Sequence, residues 1–87
     1  MVTPRPAVRV VLLGRVGCHL CADARAVVER VCAVTATAWR EDDIDSPDTP
    51  RDLRLRHTDE VPVTFVDGVV HDFWRVDEAR LRAALER

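Results

Sequence analysis

Two cysteines stand three positions apart in Cys18-His19-Leu20-Cys21, between the apolar run Val8-Arg9-Val10-Val11-Leu12-Leu13 and an Ala-rich segment. Such a pair can be a redox couple, half of a metal site, or two small apolar residues at a helix end. As a staple it is poor: a disulfide closing four residues is worth about 1.9 kcal/mol by the loop-entropy relation, against about 3 for fifteen. As a redox couple the spacing works, because positions i and i+3 of a helix hold their Cβ atoms about 5–6 Å apart, near what a disulfide spans. The two sulfurs are expected to be unequal. Cys18 falls at the helix start, where free amides and the positive dipole end favour a thiolate, and Cys21 falls one turn in, on the apolar side. That asymmetry assigns attack on a substrate disulfide to Cys18 and resolution of the mixed disulfide to Cys21.

Magnitudes then require helpers. Bringing a thiol from a pKa of ~8.5 to ~6 takes about 3.4 kcal/mol, of which a helix dipole supplies ~0.3–1. Arg15, three residues upstream, and His19, beside the first cysteine, are the residues placed to tune the pair. Zinc fits less well. A structural site takes four ligands, the chain offers no second CxxC or HxxxH, and His19 points about 160° away from Cys21 around a helix, so no metal site is assigned. Cys32 reads as an inert core residue and His57 and His71 as surface or turn residues.

The elements that must hold these groups follow from periodicity. Residues 8–13 are apolar and β-branched and end in the turn Gly14–Gly17, a buried strand. From Cys18 to about Cys32 the helical period places Leu20, Cys21, Ala24, Val27, Val28, Val31 and Cys32 on one arc. Residues 36–42 form a weaker strand. A short exposed helix begins near Ser46 or Thr49, each followed by a proline suited to the first helical position. Two β-rich runs, about 63–66 and 69–73, flank Asp67-Gly68, the dipeptide of a two-residue hairpin. Asp77 caps the last helix, with Val76 and Leu81 spaced for a hydrophobic staple. The order is βαβαββα. Pro62, after Val61, stands at a strand start, where the lost N–H is tolerated. Trp39 and Trp74 are expected at the edges of the core.

Composition bounds the rest. The 87 residues make one domain, 1–87, with a single modest core. All thirteen basic residues are Arg and the formal net charge is −2, which gives no electrostatic reason to bind nucleic acid. No apolar run approaches the ~18 residues of a membrane span, and the N-terminal stretch lacks a leader's apolar core and cleavage site. A cytoplasmic, monomeric protein is expected, and an unpaired third cysteine argues against a disulfide framework.

With βαβαββα, a CxxC at the first helix start and Val61-Pro62-Val63 opening the third strand, the chain resembles the thioredoxin fold at glutaredoxin length. It is similar to the glutaredoxin-like family whose motif is a basic residue, two further residues and CHLC, then an Asp-Ile-Asp segment and a Val-Pro-Val strand. Arg15, Cys18-His19-Leu20-Cys21, Asp43-Ile44-Asp45 and Val61-Pro62-Val63 stand at those places. The resemblance implies an α/β fold with a four-stranded mixed sheet of order 2-1-3-4, strand 1 parallel to strands 2 and 3, and helices on both faces. It also implies that Pro62 is cis and faces the cysteines, and that the Val61 backbone pairs with an incoming peptide or glutathione. The stretch Phe73-Trp74-Arg75-Val76-Asp77 resembles in part a segment of ribonucleotide-reductase-associated redoxins, which take electrons from thioredoxin reductase, and Arg75 joins Val61 and Pro62 as a substrate-binding residue. Ordinary glutaredoxins carry a Pro-Tyr type dipeptide between the cysteines and a Gly-Gly turn that holds glutathione. The chain has neither, which weighs against glutathione as co-substrate.

The function expected is therefore thiol–disulfide exchange on protein disulfides or glutathione adducts, with an unidentified electron donor and no bound cofactor. The competing reading is a non-catalytic interaction or redox-sensing module built on the same surface.

Overall fold

Alternating side chains set the sheet. In the computed structural model, which describes residues 7–87, β1 (Val10–Gly14) sends Val10 and Leu12 to one face and Leu13 to the other, all three buried. β1 lies between β2 (Trp39–Asp43), to which it is parallel, and β3 (Val63–Val66), while β4 (Val69–Phe73) pairs with β3. The strand order is β2-β1-β3-β4. Residues 1–6, which begin the stretch read for a leader and the expected 1–87 domain, lie outside the described residues.

The expected parallel pairing of strands 1 and 3 is wrong. Val10 pairs with Val66 and Leu13 with Val63, so β3 runs antiparallel to β1. The cause lies in the connection after β2. Ile44–Pro50 is spent on turns, with Ser46 N–H donating to Asp43 O and Thr49 N–H to Ser46 O. What remains is α2 (Arg51–His57), whose seven residues rise only about 10 Å. The chain therefore enters β3 at the end of the sheet where it left β2, and a parallel crossover would have had to travel back along the strand first.

The long helix α1 (His19–Val34) and the last helix α3 (Glu78–Leu85) cover one face. There Val28, Val31 and Cys32 of α1 and Leu81 and Leu85 of α3 meet Val10 and Val66. Asp77 caps α3 by accepting the Arg80 N–H at 2.9 Å, and Val76 packs on the same cluster as Leu81, forming the staple. The opposite face carries α2, whose Leu53 packs on Leu13, Ile44 and Val63.

Two details near α2 differ from expectation. Pro50 is the N-cap residue rather than the first helical one, because the Thr49 hydroxyl donates to Asp43 O at 2.6 Å and is not free to cap. His57 is buried, not a surface residue: its ring lies edge-on to Phe65 and its Nδ1 is 3.1 Å from Glu60 Oε2. The 67–68 hairpin has φ of 51° at Asp67 and 81° at Gly68, the left-handed pair that a tight turn between twisted strands demands.

Candidate functional site

The cysteine pair sits where β1 hands over to α1. Gly17, with φ of 79°, turns the chain, and Cys18 then adopts extended geometry as the helix N-cap. Its Sγ accepts the Cys21 N–H at 3.2 Å, so a sulfur occupies the place of the usual capping oxygen. Both thiols are free, with Cys18 half-buried and Cys21 buried. An anionic Cys18 sulfur would thus already hold a helix amide.

Cys21 lies beneath β1. Burial chiefly, and then its hydrogen bond with Cys18, push its thiol up to about 11, with Glu41 adding to the rise and a backbone hydrogen bond from Arg15 opposing it. The two sulfurs therefore differ in exposure and in surroundings. Burial also raises the thiol of Cys32, which is packed among the valines of α1.

The Arg15 side chain makes its hydrogen bonds to Asp45 and Thr58. Its guanidinium donates to both Asp45 carboxylate oxygens, at 2.8 and 3.3 Å, and to Thr58 O and Oγ1, at 3.1 and 2.9 Å. This pairing holds the Asp45 carboxyl below its ordinary range. Arg15 thereby ties the loop before α1 to the segment that leads into Pro62. His19, at the first helical position, is exposed.

Val61 and Pro62 stand at the same end of the sheet as the cysteines, because Val63 pairs with Leu13 just before Gly14. The Val61–Pro62 peptide bond is cis, Pro62 is buried and Val61 is half-buried. The Pro62 carbonyl accepts the Trp74 N–H, and the Trp74 indole N–H donates to Asp59 O at 3.3 Å. Trp74 is 52% exposed with φ of 58°, so it lies over this loop rather than filling the core edge as Trp39 does. Arg75 is exposed and lines an open groove of about 260 Å³ that runs between Leu20, Asp23 and Val27 of α1 and the Trp74–Val76 turn.

Sequence reasoning missed Arg25 and Glu41. Arg25 Nε and Nη2 donate to the two Glu41 oxygens at 2.6 and 2.7 Å, and the Arg25 charge interacts with Cys21 and Cys18. The available signal was spacing: Arg25 follows Cys21 by four residues and so stands one turn further along the same side of α1. Among the described residues no cluster of His, Cys, Asp and Glu could hold a metal ion, and no helix is long and apolar enough to cross a membrane.

Comparison with known proteins agrees with this architecture. Residues 9–86 match the Glutaredoxin-like domain (DUF836). Uncharacterized proteins of Mycobacterium tuberculosis and Mycobacterium bovis are each 35% identical over 86 residues, spanning 95% of this chain and 86% of theirs. The X-ray structure of a structural-genomics target protein from X. campestris superposes with a TM-score of 0.67 at 28% identity, covering 88% of this chain and 95% of that one.

Proposed function

The chain belongs to the glutaredoxin-like domain family, and from that membership we propose that it is a dithiol thiol–disulfide oxidoreductase. The observation that carries the reading is the free pair itself: Cys18 half-exposed at the N-terminus of α1 and bonded to the Cys21 amide, with Cys21 buried one turn behind it. In the first step the Cys18 thiolate attacks one sulfur of a substrate disulfide, forming a Cys18–substrate disulfide and releasing the other sulfur as a thiolate. In the second, deprotonated Cys21 attacks the Cys18 sulfur, closing the Cys18–Cys21 disulfide and releasing the second substrate thiolate. The substrate gains two electrons and, once its thiolates are protonated, two protons. A dithiol or thiol reductant then returns both to the protein.

The groove lined by Leu20, Val27, Trp74 and Val76 favours a peptide with apolar side chains beside its disulfide, and Arg75 can pair with a carboxylate at the rim. Val61 and Pro62, at the same end of the sheet, supply the backbone against which that chain lies. Protein disulfides are therefore the preferred substrate class over glutathione adducts, the enzyme acting as a monomer in the cytoplasm.

The test is equilibration in glutathione redox buffers, with the oxidation state of each cysteine read by mass in the wild type and in Cys18→Ser and Cys21→Ser. A Cys18–Cys21 disulfide with a midpoint between about −200 and −270 mV is expected, with reduction of a protein disulfide abolished in Cys18→Ser. A protein that forms the disulfide but turns over no substrate is a redox sensor instead, and one that forms no disulfide is not a dithiol oxidoreductase.

A further inference from the structure

An ion pair between α1 and β2 lies near the buried thiol, the two facing one another around Gly14. The parallel register sets Glu41 beside Leu12 and Asp43 beside Gly14, so Glu41 projects to the face that α1 covers. Arg25 reaches it from α1 in a two-point contact, with donor distances of 2.6 and 2.7 Å. The point at which a Cβ on Gly14 would stand is 3.2 Å from Cys21 Sγ and 3.5 Å from Glu41 Oε2. Thiol and carboxylate thus approach one another across a side chain that glycine leaves out. On its outer side the pair borders an open cavity of about 260 Å³, which gives Glu41 access to water while Cys21 stays buried.

We propose that the Arg25–Glu41 pair is a positioning device for the second half of the exchange, its carboxylate restraining the loss of the Cys21 proton and its guanidinium promoting it. The inference rests on the dithiol reading of the site. A carboxylate beside a thiol opposes negative charge on the sulfur, and a guanidinium favours it. Both signs are present at this pair: Glu41 raises the Cys21 thiol, and negative charge on Cys21 or Cys18 stabilises the Arg25 cation, an attraction that is mutual. The other groups around Cys21 are accounted for: the Cys18 sulfur and the Arg15 backbone contact it directly. Asp42, on the cavity wall, is paired with Arg40, and an Asp43 oxygen accepts the Asp45 N–H. The pair so placed lets Cys21 remain a thiol while Cys18 attacks, yet keeps a cation at hand when Cys21 must ionise.

The test uses the reduced full chain and one equivalent of an aromatic disulfide whose thiolate is coloured. Attack by Cys18 releases the first aryl thiolate, and displacement by Cys21 releases the second. Below the Cys21 pKa the second phase follows the Cys21 thiolate fraction, reduced by the lower nucleophilicity of a more acidic thiol. A tenfold change in thiolate then appears as about a 3-fold change in rate. Glu41→Gln is expected to speed the second phase about 3-fold, Arg25→Met to slow it about 3-fold, and Arg25→Lys to restore most of the loss. The rising limb of the pH profile should move to lower pH in the first variant and to higher pH in the second. A merely structural clamp predicts the same direction from both substitutions, since each breaks the same contact, and that result, or no change in either, overturns the proposal. A wild-type chain with no second phase overturns the dithiol reading and this inference with it.

Discussion

The two faces of the sheet are closed in different ways. On the face covered by α1 and α3, seven buried residues from both helices and two strands form one cluster, flanked by half-buried Val27, Trp39, Val76 and Ala84. On the face covered by α2 the buried apolar cluster is Leu13, Ile44 and Val63, and a buried histidine completes the seal. Polar ties do the remaining work there: Arg15 to Asp45 and Thr58, Trp74 to Asp59 and Pro62, His57 to Glu60. The cysteine-bearing helix belongs to the first face, and the segment carrying Val61 and Pro62 to the second. Packing thus fixes the two sulfurs of α1, while hydrogen bonds that can open singly fix the loop that carries Val61 and Pro62.

If that division is right, core truncation should separate the faces most strongly. Leu12 is fully buried on the α1 side, and Leu12→Ala is expected to lower stability by about 2–5 kcal/mol in urea unfolding. Leu53 on α2 is half-buried, and Leu53→Ala should cost nearer to 1 kcal/mol. Equal losses would mean that the α2 face is as integral to the core as the other.

A smaller effect should come from Arg15→Met. It removes the bonds to Asp45 and Thr58 but touches no residue of the α1–α3 cluster. Amide hydrogen exchange across Thr58, Asp59 and Glu60 is expected to quicken several-fold, with the urea midpoint shifted far less than in Leu12→Ala. A midpoint loss matching Leu12→Ala would place Arg15 in the global fold rather than in a local tether.

The same division decides what was legible in the sequence. The α1 arc, the Asp67-Gly68 hairpin and the Asp77 cap each follow from one local rule, and each appears at its expected place. The order of the two sulfurs also read correctly, Cys18 half-buried and Cys21 buried, because helix position alone sets that order. The direction of β3 did not read, since it depends on how the 44–62 connection spends its length on turns. Nor did His57, which lies in an Arg-rich helix whose other residues are exposed or half-buried; its burial comes from Phe65 and Phe73, supplied by strands. Arg25 and Glu41 are sixteen residues apart and meet only through the parallel register of β1 and β2.

The smallest effect at neutral pH is also the one that assigns an alkaline transition to a face. The buried thiol of Cys21 is raised from 9.0 to about 11, and burial raises that of Cys32 as well; both lie on the α1 side. A raised folded-state pKa means that the native chain holds the proton more tightly than the unfolded one. The stabilisation is therefore complete below the unfolded value and is lost as pH rises through the folded one. Under reducing conditions the urea midpoint should be level up to about pH 9 and then fall toward about pH 11, with Cys21→Ala showing a shallower fall. The variant pays for its lost sulfur contacts at every pH, so the slope, not the height, carries the test. An alkaline slope unchanged by Cys21→Ala would move its origin to Cys32 or to groups outside the α1 face, and the contrast between an ionisation-sensitive packed face and a hydrogen-bonded one would weaken accordingly.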